Sequence, residues 1–412
     1  MSDSPTAKLP LFSNPTAFLM SINFVNFLAF ASWSVLINNF TVEGVGFTFK
    51  DNGIMQSVRE IPGFLAFTAI FFMLFLREQT FAYCSMLALC LGVLLTGYFP
   101  SFTGILMTTF LMSVGFHYLE TMQQSLALQL LPKATAAIEM GKVAGAGAAA
   151  QFAAYGGVLL LAYAGISDFK LLFLLVGGAS LILAVAVAIT FKKFDGPVPQ
   201  RKQIVLRQRY WLYYAITFMS GARRQIFAAF AAFLLVRTFG YAIAEVALLM
   251  LVMSAVNTML APKLGLFISR HGERASIMVE NISLIVIFAG YALAANGTLG
   301  AWGAVAAAAL FVADGVFTTF YIAPKTYFQK IGDAEDMAPT AAVAFTINHI
   351  MAVIIPVVFG ILAVQRPDPS IIFWLGCGIA TSSLSLAFLV PRHPSKGLET
   401  IFSVPAKAQP AE

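Results

Sequence analysis

The sequence predicts an all-α polytopic membrane protein, with twelve transmembrane helices arranged as two pseudo-symmetric six-helix bundles. Three observations carry that reading. Of 412 residues, 59% are hydrophobic and 11% charged, whereas soluble domains run near a quarter charged. The chain therefore lacks the charge to coat a water-facing surface. Its apolar residues recur in runs of about 20 or more, long enough to cross a bilayer core. The second half of the chain also echoes the first at a fixed offset. The same composition argues against disorder, a secreted disulfide scaffold and a nucleic-acid binder.

Apolar runs between polar or Pro/Gly breaks give spans at 15–40, 51–76, 81–99, 103–130, 141–165, 169–191, 210–236, 242–268, 275–295, 301–323, 338–364 and 370–389. The longest interruption is basic and proline-bearing. It divides the chain into a first bundle (1–191), a cytoplasmic linker (192–209) and a second bundle with a short cytoplasmic tail (210–412). Pro62 and Gly63 are expected to kink or loosen the second span.

With the N-terminus in the cytoplasm, 16 Lys and Arg fall on the cytoplasmic side: Lys8, Arg77, Lys133, Lys142, Lys192, Lys193, Arg201, Lys202, Arg207, Arg209, Arg270, Arg274, Lys330, Arg392, Lys396 and Lys407. Only four (Lys50, Lys170, Arg237 and Arg366) fall on the other. This asymmetry places both termini in the cytoplasm, so the net charge of +6 reports topology and needs no acidic partner. The polar N-terminus has no small-residue cleavage site after its first apolar run. The first span itself is expected to target the chain to the plasma membrane, the inner membrane in bacteria. Cys84, Cys90 and Cys377 all lie inside apolar runs and suggest neither disulfides nor a metal site.

The internal echo is specific. LPKATAAIEMGK after the fourth span matches FQKIGDAEDMAP after the tenth: Lys133 and Lys330, Glu139 and Asp336, and Met140 and Met337 are each 197 residues apart, as are Arg77 and Arg274. Parallel six-span repeats are how many secondary transporters are built. After the eighth span, GLFISRHGERA follows the pattern G-x-x-x-D-R-x-G-R-R at Gly265, Arg270, Gly272 and Arg274, with Ser269 at the Asp position.

In these features the chain resembles the major facilitator superfamily of secondary transporters. The first-half copy of the motif keeps only Arg77. The resemblance implies alternating-access movement of a small-molecule solute by a monomer, with spans three, six, nine and twelve outside and the others around a central cavity. It implies gating roles for Arg270 and Arg274, with Gly265 and Gly272; the alternative is loop charge that sets topology. Two departures weaken a drug-exporter reading. Span four has Gly115 and Glu120 but no Arg, and span five lacks a Gly-Pro pair.

A charge at the bilayer centre costs about 2.5–3.5 kcal/mol on insertion scales, so each needs a reason. The mid-span ionisable residues are Arg59, Glu60, His117, Glu120, Arg223, Arg224, Asp314 and His349, all on spans that the resemblance puts around the cavity. Glu280 reads as lying near the cytoplasmic end of span nine. Neighbours on a helix point about 100° apart, so one arginine of Arg223–Arg224 is expected to face the cavity. The other is expected to need a carboxylate such as Asp314 or Glu120. A planar, always-charged guanidinium suits a carboxylate or phosphate; the alternative is a structural ion pair. Gly221, just before the pair, leaves room for a ligand or another backbone.

The candidate substrate-binding residues are therefore Arg223, Arg224 and Arg59, with Asn26, Gln123 and Asn257. Gln151, Gln225 and Asn348 are further midspan amides, each of which also reads as interhelical glue. The proton-coupling candidates are Glu120 and Asp314, since a carboxylate in a low-dielectric cavity can load and release a proton. His117 and His349 join them, or are simply hydrogen-bonded histidines.

No P-loop, H-E-x-x-H or Ser/His/Asp pattern stands out, so no enzyme, cofactor or metal site is expected. The expected function is secondary active transport of a small anionic organic solute, coupled to protons. The alternatives are a sugar- or nucleoside-like proton symporter and an exporter of amphipathic compounds.

Overall fold

The structure, a computed structural model, describes residues 10–131, 136–194, 206–366 and 368–403. Lys8, Lys133, Arg201, Lys202, Lys407 and most of the 192–209 linker lie outside the described residues. Every major element is a helix. The sole β-bridge among the described residues joins Ser395 and Leu398.

Helix α1 (Pro15–Asn39) opens on a proline, where the missing N–H costs nothing. Asn14 Oδ1 caps it by accepting from Thr16 N at 2.9 Å. Helix α2 (Phe49–Phe64) starts with a capping box: Asp51 N donates to Thr48 Oγ1 at 3.3 Å, and Thr48 N to the Asp51 carboxylate at 2.9 Å. It carries Pro62 and stops two residues later. A 3₁₀ turn at Ala66–Thr68 and a one-turn α3 (Ala69–Phe72) complete the predicted second span, which breaks where Pro62–Gly63 suggested.

Next come α4 (Glu78–Thr96), α5 (Phe102–Leu130), α6 (Ala136–Tyr163) and α7 (Phe169–Thr190). Ser101 and Asp168 cap α5 and α7 by accepting from Gly104 N (3.1 Å) and Lys170 N (2.9 Å). Helix α8 (Trp211–Ile226) passes through a π turn at Phe227–Ala231 into α9 (Ala232–Phe239).

The stretch α10 (Ile243–Ala295) is two helices that meet at a kink and correspond to the eighth and ninth predicted spans. Its one non-helical residue is Gly272, at φ 79° and ψ 172°. A side chain is strained at that φ, so the motif glycine sets the break between the spans. Helices α11 (Gly303–Phe317) and α12 (Ile322–Ile331) flank a 3₁₀ turn, and α13 (Met337–Val364) and α14 (Ser370–Phe388) finish the chain. Among the described residues, ten helical runs are long and apolar enough to cross a membrane. The long α10 counts once there, and the broken second span does not qualify.

The repeat extends to the helices. Adding 197 to the bounds of α1 gives 212–236, against 211–239 for α8 through α9. The same shift carries α7 to 366–387, against 370–388 for α14.

The chain groups into two compact units, Met1–Ile37 with Thr68–Gln200 and Asn38–Phe67 with Arg201–Glu412. Helix α2 thus packs within the second. In the first unit, α4 packs on α5 and α7, and Asn23 Nδ2 of α1 donates to Val143 O of α6 at 2.7 Å. Leu160, Ile182 and Ile189 of α6 and α7 are exposed, as expected of helices that face lipid.

In the second unit, α13 packs on α2 and α8, and α10 on α11 and α14. Pro356 sits inside α13, and the next backbone amide, Val357 N, donates to Ser57 Oγ of α2 at 3.1 Å. Asn52 Nδ2 of α2 donates to Ala229 O in the π turn at 2.5 Å. Beyond the membrane-crossing runs, Asp336 accepts from Arg207 and, at 3.0 Å, from the Tyr210 hydroxyl. Its repeat mate Glu139 takes Lys142 at 2.8 Å.

Candidate functional site

Two clusters of ionisable residues in the second unit surround the Arg223–Arg224 pair, one around each member. Helix α8 positions the pair by approaching α13 without a side chain between. A Cβ on Gly221 would lie 2.0 Å from Asn348 O, so the glycine admits a neighbouring backbone.

Arg223 points into the protein. Its side chain is 4% exposed, and its Nη2 lies 2.7 Å from Glu280 Oε1 on α10. Asp314 of α11 is also buried and interacts electrostatically with both Arg223 and Glu280, yet it makes no ion pair within 4 Å among the described residues. Its Oδ2, Glu280 Oε2 and the Tyr291 hydroxyl are buried without hydrogen-bond partners. The cluster holds one cation and two carboxylates.

Arg224 points the other way and is 43% exposed. Its Nη2 donates to Asn348 Oδ1 at 3.1 Å and lies 3.8 Å from Glu60 Oε2. Glu60 is already closely paired, through Oε1, with its neighbour Arg59 at 2.5 Å. This pair of neighbours is steadied by Arg59 Nε donating to Gln56 Oε1 at 2.7 Å.

His349 Nε2 lies 3.6 Å from Glu60 Oε2, while its Nδ1 is 2.8 Å from Phe345 O. A carbonyl only accepts, so Nδ1 carries the hydrogen. Nε2 then attracts the carboxylate only when the ring is doubly protonated. With a neutral imidazole this cluster holds two guanidiniums against one carboxylate.

Asn257 Oδ1 accepts from Thr319 Oγ1 at 2.5 Å, an interhelical pair within the second unit. In the first unit Asn26 is buried, Gln123 half-buried and Glu120 exposed. His117 is buried there with its ring edge-on to Phe116 at 5.1 Å.

Of the motif residues, Gly272 makes the α10 break, Gly265 has open space around it and Arg270 is exposed. Arg270 and Arg274 make no ion pair among the described residues. Glu273, between them, is buried and pairs with Lys330 at 2.7 Å.

Glu280 is the residue that the sequence reading missed. Placed six residues into its predicted span, it looked like an end-of-span charge, yet it is 1% exposed and is the direct partner of Arg223. The available signal was its register: Glu280 shares a face with Ile277, Leu284, Ile287 and Tyr291, all buried.

No protein-family model and no curated protein matches the chain. Solved structures do. The nucleoside transporter NupG aligns with a TM-score of 0.70 and 15% identity, over 91% of this chain and 98% of that one. Its D323A mutant gives a TM-score of 0.74 and 14% identity, over 91% and 99%. A bacterial homologue of the human lysosomal transporter Spinster, in an inward-facing and occupied conformation, gives 0.63 and 14%, over 90% and 93%. The chain shares the fold of these structures over nine-tenths or more of its length. More narrowly, that is the major facilitator fold, and the neighbours that share it are transporters.

Proposed function

We propose that the protein is a secondary active transporter of a small organic anion, coupled to protons and working by alternating access. One observation carries the anionic substrate: Arg224, near the middle of the helical run from Gln208 to Phe239, is exposed while its nearest carboxylate is already paired with Arg59. A guanidinium left open to hydrocarbon costs about 2.5–3.5 kcal/mol at the bilayer centre. Arg224 therefore serves aqueous space, where the second positive charge around Glu60 attracts an anion. Arg224 is the bidentate ligand, Asn348 orients it, and Arg59 is held behind it by Glu60. Asp314 and Glu120 are the coupling carboxylates. The fold likeness to solute transporters supports the transport reading.

A second reading is a neutral, nucleoside-like substrate. The Asn348 amide bonded to Arg224 favours it, because amides grip hydroxyls and bases as well as they grip anions, and NupG is a nucleoside transporter.

The proposed setting is a bacterial inner membrane crossed twelve times by a monomer, with both termini and the 192–209 linker in the cytoplasm. Cysteine-accessibility labelling tests that topology, and labelling of the linker from outside would overturn it. A thermal-shift screen of purified protein against anionic, neutral and cationic metabolites tests the substrate class, since any ligand of the folded state stabilises it by mass action. Hits confined to neutral solutes would put the second reading first.

A further inference from the structure

We infer that Asp314, Glu280 and Arg223 form the protein's proton-binding site, with Asp314 taking the proton and Glu280 serving as the fixed counter-ion of Arg223. This rests on the proposed transport reading only for the use to which the proton is put.

The argument is one of charge and geometry. Asp314, Glu280 and Arg223 are 1%, 1% and 4% exposed, so none can borrow stabilisation from water. Glu280 neutralises Arg223 directly at 2.7 Å. Asp314 is then a second carboxylate beside a cation whose direct ion pair is with Glu280, the Arg223 Nε and Nη1 being buried without hydrogen-bond partners. It has a buried oxygen with no hydrogen-bond partner and no ion pair among the described residues. Two buried carboxylates sharing one cation do not both stay ionised; one takes a proton. Of the two, the carboxylate without the direct pair is the one that does.

Among the described residues no second cation makes an ion pair with Asp314 or Glu280. Helix α8 presents Arg223 to the site, and α10 presents Glu280 and the Tyr291 phenol. Helix α14 packs on both α8 and α10 and has no charged residue within Ser370–Phe388. Its Cys377 thiol donates to Ile285 O at 3.5 Å. Loss of the proton leaves the cluster one negative charge in excess beside Arg223. The next residue is Arg224, so the charge state of the proton site is felt one position away at the proposed anion ligand.

The test uses full-length protein in detergent without any solute, so it stands or falls independently of the anion assignment. Infrared difference spectra are recorded as the pH is stepped upward from neutral. A carboxylic-acid C=O band is expected at neutral pH, lost on alkalinisation. It should be absent in Asp314→Asn and retained in Glu120→Gln. Because Asp314→Asn could fail to fold, the wild type is also prepared with carboxyl-¹³C aspartate. The other described aspartates (Asp51, Asp168, Asp333, Asp336 and Asp368) lie at helix starts or in loops, so an isotope shift of the band assigns it to Asp314. No titrating band, a band that fails to shift with labelled aspartate, or a band removed by Glu280→Gln but not by Asp314→Asn would each overturn the assignment.

Discussion

Arg223 Nη2 and Glu280 Oε1 lie 2.7 Å apart with both side chains sealed from solvent, while the next residue along the helix keeps its guanidinium open. On the proposed reading, this division within one dipeptide separates a structural, proton-handling arginine from a ligand-handling one.

The buried pair is the first target for substitution. Removing one partner of a buried ion pair costs about 3–5 kcal/mol, because the other charge is left uncompensated. Glu280→Gln is therefore expected to lower the melting temperature of the purified protein markedly, and Arg223→Gln to do the same. The double variant should recover a good part of the loss. Thermal unfolding of the three variants in one detergent checks this. Additive losses in the double variant would mean that the two residues are not coupled.

Close packing of α8 on α13 gives a second expectation. With a Cβ placed 2.0 Å from Asn348 O, Gly221→Ala must push the helices apart, at a cost of about 1–3 kcal/mol typical of overpacking. Since Asn348 bonds Arg224, the variant should weaken solute binding as well as stability. A Gly221→Ala protein as stable as wild type would show that the two backbones do not approach this closely.

Much of this was legible in the sequence, and the reasons differ by element. Hydrophobic run length set most of the helices, because a bilayer fixes that length, and Pro62–Gly63 marked the break in the second span. The eighth and ninth spans adjoin directly in α10 because the kink between them takes one non-helical residue, Gly272. The charged dipeptide stood out at once, but its orientation did not. Neighbouring residues diverge by about 100°, and which one is buried depends on partners from other helices. Asp314 and Glu120 were expected as those partners. Glu280 took the direct role because it lies on the buried face of α10, a fact visible in its register but hidden by its nearness to the end of the span.

At the foot of the second unit, Arg207 bonds Asp336 and holds its carboxyl below the usual aspartate value of 3.8, helped by the Tyr210 hydroxyl and opposed by burial. A lowered carboxylate contributes stability above its unfolded value and loses it as pH falls through the folded one. Asp336→Asn should therefore melt earlier than wild type at neutral pH. That gap should close as the pH drops below about 3.8, the ordinary value from which the carboxyl is lowered. Melting curves between neutral and acid pH check the sign. A gap that persists or widens in acid would assign the loss to packing instead of charge.

The central claim, an organic anion held by the open guanidinium of Arg224, is tested most directly by solute binding to wild type, Arg224→Lys and Arg224→Gln, with melting temperature measured alongside. Lysine keeps the charge but loses the planar fork, and a charge-assisted hydrogen bond is worth about 1.5–3 kcal/mol, or roughly ten- to a hundredfold in affinity. The account predicts that carboxylate- or phosphate-bearing solutes bind the wild type, and that Arg224→Lys weakens them by about that factor at near-normal stability. It also predicts that Arg224→Gln abolishes binding. Unchanged affinity in both stable variants, or binding of neutral solutes alone, would contradict it.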